Sequence, residues 1–335
     1  MKKIFKPLTK LFILILAAII LSGCWTHQIA RLYKTLEPAD GIIYKNIEYK
    51  KVPCGTTELD IYLPYSFNKA SETSNVKYPL YLFIHGGAWM GGSKDMLRHS
   101  EIVAKMNQDQ PITKLLPSLR KNEIAVASIS YRFLQQASWS TMAKDVSDAF
   151  KFLKANESKY HIDMERVLIH GESAGAHLAL QYGLVDHSKE GIKVKAIIDL
   201  FGPTDLVALS DHRGVFGDGM LNCTTMKIIP YALRYKNSPI NTSYNSDVSL
   251  FIFHGDIDDL VPFNQSVLLM KKMEYLSGIK FENVEERLTA FQANKHYLLK
   301  VVKNANHGFM NKEVTPELLS SLYDMMVTYA VTKLK

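Results

Sequence analysis

The pentapeptide GESAG at residues 171–175 places Ser173 where it could act as a nucleophile. It follows the apolar run 167–169 and precedes a helical pattern, the order of a strand that turns sharply into a helix with an exposed serine at the apex. The glycines two residues before and after the serine suit positions where neighbouring backbone comes too close for a side chain. Because G-x-S-x-G arises by chance in about one chain in ten of this length, at roughly 7% glycine usage, the pentapeptide alone also fits an ordinary turn.

Two glycines earlier in the chain could supply what such a nucleophile needs. Gly86 and Gly87 directly follow the apolar run 79–84. Their N–H groups could bind the negative oxygen of a tetrahedral intermediate, together with the N–H of Ala174, the residue after the serine. Alone the two glycines fit a tight turn, but beside the serine motif they predict an oxyanion hole.

An acid and a base are expected after two later strands. Three acids, Asp256, Asp258 and Asp259, follow the apolar run 250–254, and spacing alone does not choose among them. His307 follows the last predicted strand and is the expected general base, because it completes the order serine, acid, histidine. Three other histidines stand at strand ends and are expected to pack or brace loops: His85, His170 and His254.

The elements that must hold these groups alternate along the chain. Buried strands are predicted at 79–84, 124–130, 167–170, 194–200, 250–254 and 297–302. Helices are predicted at 141–156, 174–184, 263–276 and 315–332. An alternating pair of segments, 47–52 and 57–63, predicts an antiparallel hairpin. This order predicts an α/β fold whose mostly parallel central sheet is flanked by helices.

Residues 206–247 interrupt this alternation with about forty residues between two strands, far more than the usual loop. They contain three glycines and a short helical pattern at 225–234. The insertion follows the C-terminal end of a strand, where α/β sheets bind ligands. We therefore expect a small cap over the active site, with a surface insertion as the alternative.

The first 23 residues have the pattern of a targeting segment. Lysines precede the apolar run 11–21, which fits a signal-peptide core of about 7–15 residues and is short for a membrane span of about 20. The sequence LSGC ending at Cys24 resembles the lipobox of bacterial lipoproteins. That resemblance implies cleavage before Cys24, acylation of this cysteine and a lipid anchor in the bacterial cell envelope. An uncleaved anchor and an ordinary signal peptide are the alternatives.

On this reading residues 24–41 are a spacer and residues 42–335 the folded domain. Residues 1–23 hold four of the 40 basic residues and no acid, so their removal lowers the net charge from +7 to about +3. Nucleic-acid binding is not expected, because no dense basic block with interleaved aromatic residues occurs. Cys54 and Cys223 could pair outside the cytoplasm or remain thiols, and neither lies in a metal-ligand pattern.

Six segments together make the chain resemble the α/β-hydrolase family. They are HGGAW at 85–89, SYR at 130–132, GESAG at 171–175, GPTD at 202–205, HGDIDDLVP at 254–262 and NHGF at 306–309. Within that family the chain looks most like esterases related to hormone-sensitive lipase and like bifunctional feruloyl and acetyl-xylan esterases. The resemblance covers about residues 42–335 and implies the α/β-hydrolase fold. It also implies that Asp258 is the acid and that Gly86 and Gly87 form the oxyanion hole, although Ala88 replaces a third glycine found in many members.

These features predict a serine carboxylic-ester hydrolase that acts through an acyl-enzyme on short-chain or carbohydrate-linked esters. The reaction would use Ser173, Asp258 and His307 and require no metal or organic cofactor. The same triad would serve an arylformamidase or an envelope serine peptidase, and an inactive scaffold that binds a partner is a further alternative. We expect Trp89 and the insertion 206–247 to select the ester. The sequence assigns no oligomeric state.

Overall fold

A computed structural model describes residues 42–68, 75–98, 114–211 and 229–335. All of these residues belong to one compact unit, Gly41–Lys335. The predicted signal segment, Cys24, the spacer 24–41 and Cys223 lie outside the described residues. Cys54 is an exposed free thiol.

The described residues contain a nine-stranded sheet with the order β1-β2-β4-β3-β5-β6-β7-β9-β8. Its strands are β1 Ile43–Glu48, β2 Glu58–Tyr62, β3 Tyr78–Ile84, β4 Ala125–Ile129, β5 Ile162–Glu172, β6 Val194–Leu200, β7 Ser249–Gly255, β8 Glu282–Asn283 and β9 Tyr297–Val302. Strands β1, β2 and β4 pair antiparallel, and the other neighbours pair parallel. The mostly parallel sheet is confirmed, and the antiparallel hairpin is present, but its first strand is Ile43–Glu48 rather than 47–52.

Helices follow most of these strands in the described ranges. They are α1 Leu115–Lys121, α2 Trp139–Ala155, α3 Ala174–Gly183, α4 Leu206–Asp211, α5 Tyr231–Lys236, α6 Asn264–Ser277, α7 Ala290–Ala293 and α8 Pro316–Leu334. Short 3₁₀ turns lie at Ser188–Glu190, Pro239–Asn241 and His307–Phe309. Among the described residues, none of the helices combines the length and the apolar character that a membrane crossing requires.

The core lies on both faces of the sheet. One face packs against helices α2, α3 and α6, and the other packs against α1 and α8. On α2 the predicted apolar stripe is buried as expected: Met142, Val146, Ala149, Phe150 and Leu153. Because both faces are covered, the central strands can be apolar along their whole length.

Polar residues account for the difference between the predicted and the observed start of strand β5. Strand β5 begins at Ile162, five residues before the predicted start, because its first half alternates buried and polar positions. Within that half, Arg166 Nε donates to Asp163 Oδ2 over 2.7 Å, which keeps both charges at the edge of the core. Of the short helix predicted at 225–234, residues 225–228 lie outside the described residues, and the described part contains helix α5, Tyr231–Lys236.

The parallel arrangement brings the chemically interesting segments together. Strands β3, β5, β7 and β9 run in the same direction, and their C-terminal ends precede HGGAW, the Ser173 turn, the 256–259 acids and His307. In parallel sheets this is the edge at which ligands bind.

Candidate active site

Ser173 occupies the sharp turn between strand β5 and helix α3. Its backbone has φ 52° and ψ −118°, a strained conformation for a residue with a side chain. The Ser173 N–H donates to Leu200 O over 2.9 Å, which ties the turn to strand β6. The turn therefore projects the serine side chain out of the end of the sheet, as the sequence predicted.

The two motif glycines show why side chains are excluded around Ser173. A Cβ on Gly171 would lie 2.5 Å from Ala176 Cα, and a Cβ on Gly175 would lie 2.1 Å from Ile84 O. Both distances are far below contact distance, and the nearest atoms belong to backbone that cannot rotate away. The expectation that these positions touch neighbouring backbone is confirmed.

Ser173, His307 and Asp258 form one continuous hydrogen-bonded chain. His307 Nε2 lies 3.0 Å from Ser173 Oγ, and His307 Nδ1 lies 2.7 Å from Asp258 Oδ2. Ser173 is 9% exposed and Asp258 is buried, whereas the His307 side chain is 15% exposed. A substrate can therefore reach the serine and the histidine, whereas the acid is buried and contacts the histidine from the protein interior.

Asp258 is held as a carboxylate by four donors. Its Oδ1 accepts the N–H groups of Leu260 and Val261 at 3.0 and 2.9 Å, and its Oδ2 contacts His307 at 2.7 Å and His254 at 3.4 Å. Burial alone raises the pKa of Asp258, but the hydrogen bonds from His254 and His307 outweigh it and lower this pKa to about 2. Asp258 is the acid that contacts His307, whereas Asp256 lies 3.5 Å from Lys303.

Gly86, Gly87 and Ala174 surround the serine with backbone donors. A Cβ on Gly86 would lie 3.5 Å from Ser173 Cβ, so this peptide lies beside the nucleophile. Ala174 is the first residue of α3, and the N–H of a first helical residue has no acceptor within its own helix. Within the four described ranges, no protein group accepts a hydrogen bond from these three N–H groups. They are therefore available to an oxygen of a bound substrate.

The other histidines named from the sequence lie inside the protein. His85, His170 and His254 are fully buried, which confirms the prediction that they pack or brace loops. Burial lowers the pKa of His85 to about 4 and that of His170 to about 3, so both are neutral at pH 7. These two histidines therefore serve as fixed hydrogen-bonding or packing groups.

The prediction that Trp89 helps to select the ester was wrong, because its side chain is only 1% exposed. Its indole Nε1 donates to His177 Nδ1 over 3.2 Å, and its ring packs edge-on against Trp139 with centroids 5.6 Å apart. Trp89 therefore links the HGGAW turn to helix α3 inside the core, where a substrate does not reach it.

The insertion 206–247 is fastened to the core near both of its ends. At its start the N–H groups of Thr204 and Asp205 donate to Gln265 Oε1 at 2.8 and 2.7 Å. Near its end His177 Nε2 donates to Asn237 O over 2.7 Å, next to the nucleophile turn. Residues 212–228 lie outside the described residues.

Two aromatic residues to which the sequence assigned no role support His307. The Phe201 ring lies edge-on to the imidazole with centroids 4.7 Å apart, and Phe309 packs on Phe201 at 5.1 Å. Phe201 stands directly before the GPTD segment, at a backbone φ of 44°. That position at the end of strand β6 was the available signal, since the ends of the two neighbouring strands, β5 and β7, already carried site residues.

Among the described residues, no group of three or more His, Cys, Asp or Glu side chains could hold a metal ion. The arrangement around Ser173 thus consists of a nucleophile, a base, an acid and three backbone donors. These groups can perform acyl transfer by nucleophilic attack and general acid–base catalysis.

Comparison with known proteins agrees with this geometry. Residues 59–273 match the BD-FAE family model, which is more than half of the chain. Isoprenylcysteine alpha-carbonyl methylesterase ICME of Arabidopsis thaliana is 27% identical over 240 residues, 67% of this chain and 51% of that protein. Esterase LipC of Mycobacterium tuberculosis is 24% identical over 212 residues, 59% of this chain and 49% of that protein. The chain thus spans about half the length of the curated relatives it matches.

Solved structures share the architecture over most of the chain. A truncated carbohydrate esterase from gut microbiota superposes with a TM-score of 0.60 at 23% identity, covering 89% of this chain and 99% of that one. Esterase B from Lactobacillus rhamnosis gives a TM-score of 0.63 at 18% identity and covers 95% of each chain. This likeness confirms the predicted α/β-hydrolase fold.

Proposed function

Because this chain belongs to the BD-FAE family and has the α/β-hydrolase fold, we propose that it is a serine carboxylic-ester hydrolase. The observation that carries the proposal is the hydrogen-bonded chain from Asp258 through His307 to Ser173. The names of the relatives, a methylesterase and an esterase, support ester rather than amide hydrolysis.

The proposed reaction proceeds in two half-reactions. Ser173 Oγ attacks the ester carbonyl carbon while His307 Nε2 takes the hydroxyl proton, and Asp258 stabilises the resulting imidazolium. The N–H groups of Gly86, Gly87 and Ala174 bind the oxyanion, each donor contributing roughly 3–4 kcal/mol. The tetrahedral intermediate collapses as His307 protonates the leaving alcohol. Water then repeats the sequence on the acyl-enzyme, releasing the carboxylic acid and restoring Ser173.

For the substrate we propose short-chain or carbohydrate-linked esters. The fold neighbour described as a carbohydrate esterase supports this class, as does the sequence resemblance of HGGAW and the residues after it. With Trp89 buried, we assign the choice of ester to the insertion 206–247 acting as a cap. Its described part exposes Tyr231, Leu233 and Tyr235 on helix α5.

A substrate panel tests the proposed reaction. The full-length protein is expected to hydrolyse p-nitrophenyl acetate and acetylated xylan, and a fluorophosphonate probe should label it at Ser173, because the probe requires an activated serine. Formylkynurenine and a proline-containing dipeptide serve as competing substrates. Faster turnover of either one would replace the esterase assignment by formamidase or peptidase, and failure to label would indicate an inactive scaffold.

We also propose that the protein is a lipoprotein of the bacterial cell envelope, with residues 1–23 as its signal peptide and Cys24 as the acylated residue. The support is the apolar run 11–21 followed by LSGC. Wild-type protein is expected to incorporate labelled palmitate and to sediment with membranes, because several acyl chains anchor stably. Cys24→Ser should lose the label, and Cys54→Ser should keep it. Equal labelling of the Cys24 variant and the wild type would contradict the proposal.

A further inference from the structure

The carbonyl groups that precede the two oxyanion glycines are each held by a buried side chain. His85 O accepts a hydrogen bond from the Tyr131 hydroxyl over 2.9 Å. Gly86 O accepts one from His85 Nδ1 over 2.7 Å. Both peptides are trans, so the N–H of each points away from its own C=O. Fixing the two carbonyls therefore fixes the directions of the Gly86 and Gly87 N–H groups.

The two side chains that hold these carbonyls form a rigid pair. Tyr131 and His85 are fully buried, and their rings stack with centroids 4.5 Å apart and planes at 12°. Burial lowers the pKa of His85 to about 4, so the ring is neutral and carries its single proton on Nδ1, facing Gly86 O. Burial raises the pKa of Tyr131, so its hydroxyl keeps its proton and is a donor at neutral pH.

The turn needs support from outside because its own backbone is strained. Ala88 and Trp89 have φ values of 54° and 58°, which are unfavourable for residues with a Cβ, and strained conformations persist where surrounding structure over-determines them. Tyr131 can provide that support because it follows strand β4 by two residues and so belongs to a different segment from the turn. Gly92 also packs against the turn, where a Cβ would lie 2.3 Å from His85 Nδ1.

We propose that Tyr131 is a positioning residue for the oxyanion hole: through His85 it sets the direction of the Gly86 and Gly87 N–H groups before substrate binds. The proposal rests on the proposed function, since only a developing oxyanion makes these directions matter. Donors that are already aligned need no reorganisation when charge develops, so their alignment lowers the barrier and leaves substrate binding largely unchanged. The SYR segment at 130–132 thereby acquires a role that the sequence did not assign to its tyrosine.

Tyr131→Phe tests the proposal, because it keeps the stacked ring and removes the hydroxyl alone. With p-nitrophenyl acetate we expect kcat to fall at least about tenfold and KM to stay within about twofold of wild type. This loss is smaller than the 10²–10³-fold fall in kcat that follows complete removal of one oxyanion donor, because the Gly86 and Gly87 N–H groups are still present. Affinity for a trifluoromethyl ketone, which forms a tetrahedral adduct, should fall in the same proportion as kcat/KM.

Tyr62→Phe is the matched control. The Tyr62 hydroxyl donates to Asp60 Oδ2 over 3.3 Å, so the control also loses the hydrogen bond of a buried phenol, but within strand β2 and outside the oxyanion turn. Both variants should melt at similarly lowered temperatures, while the control keeps kcat within about twofold of wild type. Equal kcat losses in the two variants, or an unchanged kcat in Tyr131→Phe, would overturn the positioning role and leave the proposed function standing.

A second pair of variants covers the case in which Tyr131→Phe does not fold. His85→Asn retains an N–H donor near the position of Nδ1, whereas His85→Leu does not. We expect the Asn variant to retain a kcat several-fold above that of the Leu variant, and equal rates would overturn the proposal. An inactive wild-type protein that resists fluorophosphonate labelling would overturn the proposed function, and the positioning role with it.

Discussion

Ser173→Ala is expected to lower kcat for p-nitrophenyl acetate by about a million-fold, the loss seen when a triad nucleophile is removed. The reason is that Ser173 Oγ is the atom within 3.0 Å of His307 Nε2 and beside the Gly86 peptide. The melting temperature should change by less than about 2 °C, because the hydroxyl caps no helix and a methyl group fits the same space. Initial rates and thermal unfolding of the purified protein measure both quantities.

Ser321→Ala on helix α8 is the control for this substitution, because it also removes a serine hydroxyl but far along the chain from the site. Its kcat should equal that of the wild type. A Ser173→Ala protein that keeps more than about a thousandth of wild-type activity exceeds what the oxyanion hole and binding alone supply. That result would assign the nucleophile to another residue.

Asp258→Asn is expected to lower kcat by about 10⁴-fold while the protein stays folded. Oδ1 accepts two backbone N–H groups, so the amide oxygen of the asparagine takes that side and its NH₂ group faces His307. A donor at this position forces the His307 proton onto Nε2, where the ring can no longer accept a proton from Ser173. Steady-state kinetics should therefore show a loss in kcat with little change in KM.

Asp256→Asn and Asp259→Asn test the choice among the three neighbouring acids. Each should keep kcat within about twofold of wild type, because Asp258 is the carboxylate in contact with His307. A loss at Asp256 or Asp259 as large as that at Asp258 would contradict the assignment of the acid.

Much of this fold follows from patterns that are local in sequence. Strands β6 and β9 match their predicted bounds because apolar runs covered on both faces end where polar loops begin. The glycines at 171 and 175 were predictable as well, because a sharp strand-to-helix turn demands them wherever it occurs. The same logic placed Ser173, His307 and the acids after strands, and parallel pairing of those strands brings such loops to one edge.

Other features depend on contacts between distant segments and left no local pattern. Trp89 was expected to face the substrate, but its partners His177 and Trp139 lie about 50 to 90 residues further along the chain. The bond from Tyr131 to His85 likewise joins residues 46 positions apart. The sequence around a tryptophan or a tyrosine does not show whether its side chain is buried, because burial depends on how distant elements pack against it.

The anchors of the insertion have a consequence for how this protein can diverge. Leu206 N donates to Ser238 Oγ over 2.9 Å, so the segment between them is closed at its base, and the bond from His177 to Asn237 O fastens that base to helix α3, which follows Ser173. Each doubling in length of a closed loop costs only about 0.6 kcal/mol of closure entropy. Insertions and deletions between the anchors therefore change the free energy of folding little and leave the nucleophile in place. Evolution can therefore change the length and sequence of this segment, and with them the range of substrates, while the positions of the catalytic residues stay the same.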